Sequence, residues 1–140
     1  MTSSTPGARY VRCALQVNGP TYTQDYQGNN ADSMSDEAYA EQLIKVAVEE
    51  QVEILAVTDH HSTAFVRPLQ QAAEGRGITV LPGVEVTSQD GVHLLCIFDE
   101  STPVQTVDDF FVRMGCNRGA SDPCSKSTLE VIGAASETGA

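Results

Sequence analysis

Apolar and polar positions fall into blocks along this chain, and the blocks switch between two periods. Tyr10 to Val17 is a short apolar run with β-forming residues and predicts a first strand. Asn18 to Ser35 is polar, carries Gly19-Pro20, Gly28 and Asn29-Asn30, and predicts a loop. Connections of that length inside a domain tend to be functional. Ser35 is a good N-cap, and Asp36 and Glu37 suit the positive end of a helix. Tyr39, Leu43, Ile44, Ala47 and Val48 then share one helical face, and the helix is expected to end near Gln51. Ile54-Leu55-Ala56-Val57 is an unbroken apolar run of the kind carried by a strand covered on both faces. It stops at Thr58-Asp59-His60-His61.

The second half repeats the alternation. Phe65, Leu69, Ala72 and Ala73 mark the inward face of a helix closed by Gly75 and Gly77. Ile78 to Leu81 predicts a third strand leading into Pro82-Gly83-Val84-Glu85. Asp90-Gly91 is a hairpin signal, with His93 to Phe98 as the returning strand. Val107, Phe110, Phe111 and Met114 recur at helical spacing within Thr106 to Met114. Gly115 to Ser125 predicts a loop, and Leu129, Ile132 and Ala135 a last helix. Strands alternating with helices place the chain in the α/β class. The alternation stops where a helix would feed a further strand, which predicts a barrel cut off after about half its strands. A length of 140 residues suits one domain, expected over 9–140 after a disordered N-terminal stretch, 1–8.

Composition narrows the partners. Eight Lys and Arg against nineteen Asp and Glu leave a formal net charge of −11, which excludes a broad basic face for nucleic-acid backbones. A small anionic substrate stays compatible only if bound cations invert the local field. Cys13, Cys96, Cys116 and Cys124 form no paired metal spacing. The first and second of these sit in apolar runs and read as buried small hydrophobes; Cys116 and Cys124 flank a polar stretch and have the option of pairing. Met1 to Gly7 lacks a basic start and an apolar segment, so no signal peptide is read. No apolar run approaches the roughly 20 residues that span a bilayer. The expectation is a soluble, cytoplasmic chain in a reducing compartment, with no membrane partner.

In parallel α/β folds the reactive groups gather at the C-terminal ends of strands. Gln16 and Asn18 stand after the first strand here, Asp59, His60 and His61 after the second, and Glu85 after the third, with His93 across the hairpin. All three histidines of the chain are in this set. Imidazole with carboxylate suits Zn, Mn or Fe.

Three blocks carry a resemblance. Thr58-Asp59-His60-His61 after an Ile-Leu-Ala-Val strand, Pro82-Gly83-Val84-Glu85-Val86-Thr87-Ser88, and His93-Leu94-Leu95-Cys96-Ile97-Phe98 occur in order. Together they resemble the successive motifs of the PHP (polymerase and histidinol phosphatase) family over roughly Tyr10 to Asp99. The nearest likeness is to PHP modules that precede a large ATPase region in longer bacterial proteins. Those begin Leu-Gln-x-His-Thr-Pro, where this chain reads Leu15-Gln16-Val17-Asn18-Gly19-Pro20. The resemblance implies a distorted (β/α)7 barrel, present here in part, and a metal-dependent phosphoesterase. Its implied substrates are a small phosphate ester or a nucleic-acid phosphodiester, and its implied partner is an ATPase domain of the same or a neighbouring protein.

Carried over by position, His60, Glu85 and His93 match family metal ligands, with Glu85 the usual bridge between ions. Gln16 and Asn18 occupy the first motif's ligand places, and Asp59 matches an acid that orients a ligand. Asp59, His60 and Glu85 are the implied catalytic set. His61 reads as a helix-start or ligand-supporting residue. The departures are specific. The family's first motif is usually His-x-His, and both places here are amides, weak neutral ligands for these metals. The family also places an acid or His soon afterwards, where Thr23 stands, with Asp25 the nearest acid. Its later ligands, one His and an Asp-x-His, would fall after Ala140. The expectation is weak metal binding and little hydrolysis by this chain. The alternative is a non-catalytic binding or regulatory remnant of such a domain, or the N-terminal fragment of a larger PHP-ATPase.

Overall fold

The computed structural model describes residues 10–21, 34–118 and 122–140. Three strands form a parallel sheet in the order β1 (Arg12–Val17), β2 (Val52–Val57), β3 (Thr79–Leu81). Helix α1 (Asp36–Glu49) precedes β2, and α2 (Val66–Ala73) connects β2 to β3. Strand β4 (Gly83–Thr87) pairs antiparallel with β5 (His93–Ile97), and α3 (Val104–Arg113) and α4 (Thr128–Thr138) follow. This is a mixed α/β chain, and its described residues form no closed barrel.

The elements start and stop for local reasons. Ser35 accepts the Ala38 N–H at 3.2 Å and caps α1, whose first turn carries Asp36 and Glu37. Ser127 and Glu130 form a capping box at α4. Gly75 and Gly77, at φ +70° and +73°, turn the chain from α2 into β3 through conformations that a side chain resists. The hairpin forms over Asp90-Gly91, where the Gly91 N–H meets the Ser88 carbonyl at 2.9 Å. Its register sets Glu85 opposite Leu95 and Thr87 opposite His93.

Two apolar cores lie under the sheets. Ile44, Phe65, Val66 and Leu69 pack against Leu55, Val57 and Val80; Phe110, Phe111, Met114 and Val131 pack against Val84, Val86, Cys96 and Phe98. From Thr79 to Thr87 the chain runs on as one course interrupted at Pro82, so Val80, Val84 and Val86 share a face. The four helices named here therefore cover the same side. Val104 at the start of α3 packs against the first core, which agrees. The opposite face carries Leu15, Ile54, Leu81, Leu95 and Ile97, all exposed or half-buried. Along β2 the core-facing Leu55 and Val57 and the opposite-facing Ala56 are all buried, as the apolar run predicted, and within that run only Ile54, on the second face, is half-buried.

Other expectations need correction. Val48 is exposed, because the buried stripe of α1 is Ala40, Ile44 and Ala47. Leu129 and Ile132 are exposed, because α4 buries Val131 and Ala135 instead. Neighbouring residues on a helix sit only about 100° apart, so apolar spacing alone does not choose between adjacent stripes. Cys13 is exposed, since Ala14 takes the core-facing place on β1, whereas Cys96, Cys116 and Cys124 are buried free thiols. Among the described residues no helix is long and apolar enough to cross a membrane.

Gly83 shows how tightly the two sheets meet. A Cβ there would stand 2.8 Å from both the Cys96 and Val57 carbonyl oxygens. Backbone on both sides has little room to yield. Gly83→Ala is expected to destabilise the fold by about 1–3 kcal/mol, in the range of overpacked cores. Chemical denaturation would check this; an unchanged midpoint would show that β4 sits loosely against its neighbours.

Candidate metal centre

The β2 exit and the β4–β5 hairpin bring three candidate ligands together, two imidazoles and a carboxylate. Glu85 lies mid-strand on β4, and its N–H donates to the Asp59 carbonyl at 3.0 Å while its carbonyl accepts the His61 N–H at 3.0 Å. This bridge sets His60 beside Glu85 in parallel fashion. The hairpin then lays His93 diagonally across from Glu85, and strand alternation points both side chains to one face. One ligand atom from each of His60, Glu85 and His93 lies within 4.8 Å of the others. Three of the five residues that the resemblance implied as metal ligands, His60, Glu85 and His93, are thus neighbours in space.

The site is buried on one side and open on the other. Glu85 and His60 are 4% and 9% exposed, whereas the His93 side chain is 61% exposed. His93 Nδ1 donates to Glu85 Oε1 at 2.6 Å. The second carboxylate oxygen, Oε2, is buried with no hydrogen-bond partner among the described residues. Such an orphaned acceptor costs about 1–3 kcal/mol, more for a charged group. The donor set passes the test for a cation: two imidazoles and a carboxylate, with a buried oxygen lone pair to spare, suit Zn, Mn or Fe.

Two residues stand against the ligands: Thr87, which carried no assigned role in the sequence, and His61, which was read as a helix-start or ligand-supporting residue. Thr87 Oγ1 lies 2.6 Å from His60 Nε2 and 3.3 Å from His93 Nδ1, so one hydroxyl orients both rings. Its place two residues after Glu85 on the same strand face was the available signal. His61 is fully buried, stacks on His60 with ring centroids 4.1 Å apart, and accepts the Thr87 N–H at Nε2. It holds φ +50°, an uncommon conformation for a residue with a side chain. It supports the ligands, and it does not start a helix: α2 begins at Val66.

Of the remaining candidates, Asp59 is not in this group and the two amides belong to β1 and its exit. Asn18 stands just past β1, half-buried, with Oδ1 buried and unpartnered among the described residues. Gln16 is an exposed residue within β1. Thr23 and Asp25 lie outside the described residues. Asp59 Oδ1 accepts the Gly19 N–H at 2.7 Å, so this acid fastens the β1 exit to the end of β2. Cys96 and Cys116 are pushed up by burial to about 11 and about 12, which keeps these thiols protonated and unreactive at neutral pH.

Burial also raises the Asp59 carboxyl from the ordinary 3.8 to about 6, against the lowering effect of the Gly19 hydrogen bond, with a smaller push from Asp36. A carboxyl raised in the fold holds a proton between about pH 4 and 6 that the unfolded chain has released. Stability therefore falls as pH rises through that window and stays lower above it. In the metal-free chain Asp59→Asn is expected to gain about 3 kcal/mol or less at pH 7.5, and little at pH 4. Thermal unfolding at the two pH values checks this; a variant less stable than the parent at pH 7.5 would contradict it. Compared with known proteins, the chain matches no family model and no curated protein.

Proposed function

We propose that this chain is a partial PHP-type domain whose His60, Glu85 and His93 hold a divalent cation for work on phosphate esters. The observation that carries the reading is the convergence of these three residues within 4.8 Å, from three separate places in the sequence. The buried, unpartnered Glu85 Oε2 supports it. The motif order that resembles the PHP family supplies the substrate class.

Each residue has a task. Glu85 brings the negative charge, held rigidly because both its backbone groups are tied to the chain around Asp59 and His61. His60 and His93 bring neutral imidazoles, and the Thr87 hydroxyl sets their ring orientation. Asp59 holds the Gly19 backbone in place beside the Asn18 amide. A divalent ion, when bound, supplies charge neutralisation for phosphate oxygens and acidifies water to a pKa of about 7. A chain of net charge −11 needs such a charge before it attracts a phosphate.

A second reading has its own observation. Asn18 stands where the resembled family has a histidine, and Gln16 is exposed, so the first-motif half of a multi-ion site is weak. Under this reading the domain binds a cation or partner without turnover.

Elemental analysis of the purified chain after loading with Zn or Mn tests the proposal. About one ion per chain is expected in the parent. His60→Ala and Glu85→Gln are expected to bind at least about 10–100-fold more weakly, the range lost even when a residue supporting a ligand is removed. No ion in the parent, or equal retention in the variants, would overturn the metal reading. Metal bound with no hydrolysis of an aryl phosphodiester would select the non-catalytic reading.

A further inference from the structure

The triad is the polar end of an apolar surface. Strand alternation places Leu95 and Ile97 on the same side of β5 as His93, and Leu81 on the same side as Glu85. Ile54 and Leu15 continue this face across β2 and β1. Leu15 and Leu95 are 44% and 41% exposed, and no helix of the described residues covers them. The face has almost no charge to offer. Among the described residues the only cation on a strand is Arg12, and its guanidinium donates to the Glu50 carbonyl at 2.8 Å. The other described cations lie on or beside the helices, as Arg76 with Glu41 and Arg118 with Asp108 illustrate. The phenylalanines are no help to a nucleic-acid strand either, for all four are buried in the helix-side cores.

From these observations we infer that the bare sheet face receives the organic part of the substrate. The substrate is then a phosphate ester of an aromatic or aliphatic alcohol, with the phosphate at the His60, Glu85 and His93 centre. This inference rests on the metal reading above and narrows its substrate class. A nucleic-acid strand needs Lys and Arg for its phosphates and aromatic platforms for its bases; among the described residues the exposed tyrosine, Tyr10, and the one strand cation, Arg12, both stand at the start of β1, at the end away from the triad. A phosphate ester needs one charged anchor and an apolar rest, which is what the face and the triad supply. A second copy of the chain is the competing occupant. Its net charge of −11 opposes bringing two copies together.

The test is binding of phenylphosphonate and methylphosphonate to the Zn-loaded chain, measured by titration calorimetry, since the P–C bond of these probes resists hydrolysis. Phenylphosphonate is expected to bind about tenfold to a hundredfold more tightly, as burial of one ring on an apolar face would give. Leu95→Asn and Leu15→Asn are expected to shrink that ratio at unchanged zinc content. Equal affinity of the two probes in the parent chain, with zinc bound, overturns the substrate inference and leaves the metal reading standing. Failure to bind zinc overturns both. A dimer in light scattering that Leu95→Asn dissociates assigns the face to a second copy and overturns the inference too. Because the parent chain alone gives the decisive ratio, a variant that fails to fold does not rescue the idea.

Discussion

Two main-chain hydrogen bonds around Glu85 hold the architecture together. Its N–H reaches the Asp59 carbonyl and its carbonyl receives the His61 N–H, each at 3.0 Å. These bonds carry the parallel pairing of the first sheet across the break at Pro82 and into the hairpin. Without them, β1 to β3 with α1 and α2 would be one small unit and β4, β5, α3 and α4 another, each with its own apolar cluster. The join is reinforced on the helix side, where the Thr63 hydroxyl donates to Asp108 of α3 and Arg118 pairs with the same carboxylate at 2.9 Å. Since the join runs through residues 59–61 and 85, whatever holds the sheets together also fixes the spacing of the histidines and the carboxylate.

That coupling has energetic consequences. His61 keeps a left-handed backbone, a conformation costing of order 1–3 kcal/mol for a residue with a side chain. The surrounding geometry offsets this: its N–H and ring nitrogen are both bonded, and its ring lies against His60. A straighter exit from β2 would free the backbone but move His60 away from Thr87. The local strain and the ligand geometry are therefore one arrangement.

Much of this was legible in the sequence. Helix α2 and its glycine stop, the hairpin at Asp90-Gly91, and the face of Val107, Phe110, Phe111 and Met114 followed from period and turn chemistry alone. The residues of the triad were also picked out, His60 just past β2 as expected, whereas Glu85 lies within β4 and not at a strand end. What escaped depended on tertiary contacts. Whether α4 buries Val131 or Ile132 depends on the shape left by Phe110, Phe111 and Met114, which no local spacing contains. The exposed place of Cys13 follows from the core-facing alternation of Ala14 on an irregular edge strand. The Thr87 hydroxyl and the His61 stack became visible only once β4 was laid beside residues 59–61.

Departures from ordinary folding rules concentrate in one place. The two cores follow those rules: apolar stripes inward, helices capped, turns built on glycine. Around the β2 exit and β4, by contrast, a carboxyl is buried far enough to be raised to about 6. A second carboxylate there has a buried oxygen without a partner, and an amide oxygen at Asn18 is in the same condition. A histidine holds a left-handed backbone. Each feature disfavours folding by itself, and random imperfection would scatter them over both cores. Their clustering around the β2 exit and β4 puts these costs beside the His60, Glu85 and His93 group, where a bound cation would offset part of them. The cost falls on the polar seam, and the apolar clusters on either side supply the stability that carries it.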